Sequence, residues 1–114
     1  MNCWKLLNRA ADFAINGGLG MRKYAIGAVA VRRDGVLVKS RNEAARYVTP
    51  EAHAEARVVR KTDVGATVFV SRVRKDGSFG LAKPCPSCIS ILQSRGVDKC
   101  YYTIDNREFG VLVL

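Results

Sequence analysis

The chain has 114 residues, enough for one domain with one modest core. Nineteen Lys and Arg stand against ten Asp and Glu, a formal charge of +9 that points to a polyanionic partner, most simply nucleic acid, or to an anionic substrate. No apolar run approaches the roughly 20 residues of a membrane helix, and the amphipathic start MNCWKLLNRAADFAING is too broken by charge for a signal-peptide core, so a single domain over 1–114, cytoplasmic and without a membrane partner, is expected.

In chain order, residues 2–16 predict a helix: Trp4, Leu7, Ala11 and Ala14 recur at helical spacing and Asn16-Gly17-Gly18 stops it. Tyr24–Arg33 reads as a strand apolar on both faces, as in a sheet covered by helices on both sides. Asp34-Gly35 is a hairpin turn and Val36–Ser40 the returning strand. Thr49 caps and Pro50 opens a helix that runs to about Lys61. Ala66–Arg74 is a third strand, Asp76-Gly77-Ser78 a turn, and a loop leads to LAKPCPSC. Pro86 starts the next helix, which ends at Gly96; Lys99–Ile104 and Phe109–Leu114 are the last two strands. Their short connection forbids a crossover, so they pair antiparallel. The order α-β-β-α-β-α-β-β predicts a three-layer α/β/α sandwich around a five-stranded mixed sheet.

His53, the only histidine, lies near the start of the second helix with Glu55 two residues on; Cys85 and Cys88 straddle the start of the third. Two helix starts can meet at one edge of a sheet. One His and two Cys make three zinc ligands and leave a fourth position for water, the pattern of a catalytic rather than a structural site. Glu55 is not needed as a ligand, yet sits beside one. Other readings of these residues are a polar His at a helix start, a C-x-x-C redox pair, or a structural zinc closed by Cys3 or Cys100. Cys100 lies inside a strand and Cys3 at the chain start, and both read as small core residues.

The two halves, His53-Ala54-Glu55 and Pro84-Cys85-Pro86-Ser87-Cys88, resemble the signature H-x-E followed by P-C-x-x-C of the zinc-dependent cytidine deaminase superfamily. The family's β-β-α-β-α-β core matches too, so the resemblance covers nearly the whole chain. It implies a cytidine deaminase-like fold, one catalytic zinc per chain on His53, Cys85 and Cys88, and Glu55 as the proton shuttle for hydrolysis of cytosine to uracil. Backbone N–H groups near Ala54 and Cys85 are placed to hold substrate. Asn42 sits where family members often carry an asparagine that contacts the sugar.

Cys88 is followed by Ile89-Ser90-Ile91 and not by the Gly-Ala stretch usual in transfer-RNA adenosine deaminases, nor by the Arg-Gln common in free cytidine deaminases. LAKPCPSC with YYT soon after looks like small phage-encoded deaminases, which would act in a host cytoplasm. Arg41, Arg46 and Tyr47 near Asn42, with Arg72, Arg74, Lys75 and Lys83, suggest a track for a nucleic acid, DNA before RNA. A free cytidine or deoxycytidylate deaminase, and a non-catalytic zinc-stabilised nucleic-acid-binding module, are the alternatives.

Overall fold

The computed structural model describes residues 2–16, 24–41, 54 and 58–114, with Asn16 and Tyr24 described in their backbone only. Helix α1 (Cys3–Asn16) is followed by β1 (Tyr24–Val31) and β2 (Leu37–Arg41). Then come β3 (Thr67–Arg74), β4 (Phe79–Gly80), α2 (Pro86–Ser94), β5 (Lys99–Thr103) and β6 (Phe109–Val113). Of the helix expected from Thr49 to about Lys61, Ala54 and Val58 are described and are helical, and a 3-10 turn at Val59–Lys61 ends it. Thr62 closes that turn, its hydroxyl donating to the Val59 carbonyl at 2.9 Å.

The strand order is β2-β1-β3-β5-β6. β1 pairs antiparallel with both β2 and β3, β3 pairs parallel with β5, and β5 antiparallel with β6 as expected. Among the described residues the sheet has six strands and not five, because β4 adds two residues beside β3, opposite Arg72 and Val73. Two residues carry no periodicity, which hides the strand from sequence. The Asp76–Ser78 turn folds it back: Gly77 has φ +87° and Ser78 accepts from the Arg74 N–H at 2.9 Å. β1 ends at Val31, two residues short of the expected Arg33, because Arg32 already belongs to the hairpin turn, its N–H donating to the Val36 carbonyl at 2.9 Å.

Alternation in β1 and β3 separates the two faces. Toward α1 point Gly27, Val29, Phe69 and Ser71; toward the other helices point Ala28, Ala30, Val68 and Val70. α1 buries Leu7, Ala10, Ala11 and Ala14. Its approach is so close that a Cβ on Gly27 would lie 2.0 Å from the Ala10 carbonyl oxygen. Ser71 fixes the same contact from β3, donating to the Leu7 carbonyl at 2.6 Å while fully buried. The other layer joins Ala54, Val58 and Val59 to Ala82, Leu92, Val97 and Cys100 in one buried cluster over Ala28, Ala30, Val68 and Val70. This is the three-layer α/β/α sandwich. No helix among the described residues is long and apolar enough to cross a membrane.

Candidate metal centre and active site

The cysteine half of the motif is fully described. Cys85 is the N-cap of α2, in extended conformation (φ −69°, ψ 163°), and Pro86 takes the first helical turn, where its missing N–H costs nothing. Cys88 follows three residues on, so both sulfurs belong to the first turn. Cys88 is buried to 0% exposure and Cys85 is half-buried. The helix's positive end favours negative ligands there. Two thiols across one helix start, one shielded from solvent, suit a thiophilic cation such as zinc.

The loop that delivers these cysteines is fastened by Thr103, at the end of β5. Its buried hydroxyl donates to the Gly80 carbonyl at 2.8 Å and accepts from the Arg72 N–H at 3.2 Å. The Thr103 carbonyl accepts from the Ala82 N–H at 2.9 Å. Three strands and the loop before Pro84 thus meet on one residue.

The other half of the motif is described at Ala54, which is fully buried. The buried Ser40 hydroxyl, near the end of β2, donates to the Ala54 carbonyl at 2.5 Å. Ala54 shares its apolar cluster with Ala82 and Leu92, so Ala54 and the start of α2 belong to the same layer. His53, Glu55, Asn42, Arg46 and Tyr47 lie outside the described residues. Among the described residues no three metal-binding side chains converge; of the expected triad, Cys85 and Cys88 are described.

Arg41 is described, and its side chain is on the α1 side. Its guanidinium carbon sits 4.7 Å from the Phe13 ring centroid and its Nη1 donates to the Phe13 carbonyl at 3.4 Å. Arg72 and Arg74 lie against Gly80 on the face that carries Ala54 and Ala82, with their atoms 3.3 and 3.2 Å from where a Gly80 Cβ would be. Lys83 and Lys75 are exposed. Cys100 is a fully buried core residue, while Cys3 is half-buried. Ser40 and Thr103 escape a reading by motif, since both act through backbone carbonyls. The available signal is a hydroxyl at an inward position of a strand.

The sequence model of the family described as "Cytidine and deoxycytidylate deaminase zinc-binding region" matches residues 4–104. The chain belongs to this family. It is a zinc-dependent deaminase, a hydrolase, by that membership. No curated protein matches the sequence at a significant level. Among solved structures, the cytidine deaminase of Burkholderia pseudomallei superposes with a TM-score of 0.72 at 18% identity, covering 99% of this chain and 93% of that one. The cytidine deaminase of Mycobacterium tuberculosis gives 0.59 at 23%, covering 88% and 83%. At these identities the likeness is one of fold, and the deaminase fold spans nearly the whole chain.

Proposed function

We propose that residues 1–114 form a single deaminase domain that hydrolyses cytosine to uracil and ammonia, with cytosine in DNA or RNA as the favoured substrate. The observation that carries the reading is the shared layer: Ala54, between His53 and Glu55, packs in one buried cluster with Ala82 and Leu92, which flank the Cys85–Cys88 helix start. His53, Cys85 and Cys88 would hold one zinc ion, which when bound makes water acidic enough to react near neutral pH.

The remaining work falls to the chain. Glu55 takes one proton from the attacking water and gives it to the ring nitrogen as the new C–O bond forms; it then takes the second proton from the resulting hydroxyl and gives it to the amino group, so that the C–N bond breaks and uracil and ammonia leave. That role needs a carboxyl that is not a ligand, and no second histidine exists to share it. Ser40 holds the carbonyl of Ala54, the residue that precedes Glu55 in the chain. The start of α2 at Cys85 is proposed to offer backbone N–H groups to a substrate oxygen. Asn42, Arg46 and Tyr47 are proposed to contact the sugar and the flanking nucleotides. The net charge of +9 favours a polymer.

Free deoxycytidylate is the second reading. Arg72 and Arg74 on the site face are two cations, enough for a single phosphate.

The test is a panel of cytidine, deoxycytidylate, single-stranded DNA, duplex DNA and RNA given to zinc-loaded protein across a salt series. The polymer reading expects cytosine in a strand to be turned over faster than deoxycytidylate, with a steep fall as salt rises. Salt-insensitive turnover of the free nucleotide with none on polymer would assign the enzyme to nucleotide metabolism.

A further inference from the structure

On the face of the sheet away from the cysteines, α1 and the edge strand β2 leave a groove of about 400 Å3 between them. Arg9, Asp12 and Phe13 of α1 and Leu37 and Lys39 of β2 form its walls, over Val29 of β1. The Lys39 ammonium lies 4.9 Å from the centroid of the Phe13 ring, and Arg41 lies over the same ring. Lys61 joins them at the outer edge, donating to the Lys39 carbonyl at 2.8 Å. Among the described residues four cations therefore stand on this edge, and Asp12 is the one carboxylate in the groove wall.

The lining selects among anions. A bare phosphate has no use for the apolar wall of Phe13, Leu37 and Val29. A duplex shows its phosphates outward and leaves that wall empty. A single strand offers phosphates to the cations and the apolar parts of its bases and sugars to the wall, whose Phe13 ring is already covered by Lys39 and Arg41. The groove also points the right way. Arg41 ends β2 at one end of the groove, and its neighbour Ser40 reaches through to the opposite face to hold Ala54.

We propose that this groove binds the backbone of a single-stranded nucleic acid, with Arg9 and Lys39 meeting its phosphates, and leads the strand around the end of β2 toward the active site. The inference rests on the polymer reading of the substrate.

Its test is fluorescence anisotropy of the zinc-loaded full chain with a labelled oligothymidylate, which has no cytosine and so reports binding without turnover. The double variant Arg9→Gln/Lys39→Gln removes two phosphate contacts. Its salt slope should fall by about 1.4 and its affinity several-fold, while the melting temperature and the turnover of free cytidine stay at wild-type values. The variant Arg9→Lys/Lys39→Arg should keep the wild-type slope. An unchanged slope in the glutamine variant, or a wild type that does not bind the oligonucleotide, overturns the groove. Turnover of cytosine within a strand, measured on the same proteins, separates the two ideas. Strand turnover with groove-independent binding sinks the groove alone. Groove-dependent binding without strand turnover keeps the groove and moves the substrate to the free nucleotide.

Discussion

The two faces of the sheet are built by the same device for different ends. On each, a buried serine hydroxyl reaches from a strand to a helix carbonyl: Ser71 to Leu7 of α1, Ser40 to Ala54. Against α1 the bond secures a contact so close that only a hydrogen fits at Gly27. On the other face it secures the residue between the proposed ligand and the proposed proton shuttle. A packing face tolerates no added volume, whereas the site face needs its backbone held in place.

Adding a methyl group to the packing face should have the largest effect on stability. Gly27→Ala must push α1 off the sheet, at a cost of about 3 kcal/mol, the upper end for overpacking. Chemical denaturation measures it, and a loss below half that value would mean α1 has slack the close approach to Ala10 denies. Next come the two serines. Ser40→Ala and Ser71→Ala each remove one buried hydrogen bond to a helix carbonyl, at about 0.5–1.5 kcal/mol. Only Ser40→Ala should also lower kcat on cytidine at a temperature where both variants are folded. Equal activity in the two would erase the distinction between the faces.

The smallest effect belongs to neither face. In the β3–β4 turn, Asp76 accepts from the Ser78 hydroxyl at 2.6 Å and the Ser78 N–H at 2.9 Å. These bonds, with Arg74 nearby, hold its carboxyl below the usual range. A depressed folded-state pKa contributes stability that is complete above the unfolded value and is lost as pH falls through the folded one. The side chain is fully exposed, so the contribution is slight. An NMR titration of the Asp76 carboxyl should give a midpoint below that of an unstructured aspartate, and an ordinary midpoint would deny the turn its anchor.

What was legible in the sequence is what local chemistry dictates. Asp34-Gly35 needs a positive φ, found at +86° on Gly35, and Pro86 needs a first helical turn. The C-x-x-C spacing is itself the geometry of a helix start. What was not legible depends on register. Ser40 and Ser71 are ordinary strand hydroxyls until pairing aims one at Ala54 and the other at Leu7. Arg41 reads as a rim cation until its face of β2 turns it, with Lys39, toward Phe13. β4 exists because a turn and the Asn106 side chain, which accepts from the Phe79 N–H at 2.7 Å, return the chain to β3.

The central claim is a zinc ion on the face that carries Cys88, beside a carboxylate that works without binding it. Elemental analysis of Cys88→Ala and Glu55→Gln proteins, purified alongside the wild type, tests it most directly. The account predicts about one zinc per chain in the wild type and in Glu55→Gln, the latter without turnover, and a large loss of zinc in Cys88→Ala. Full zinc retention with unchanged stability in Cys88→Ala would contradict it.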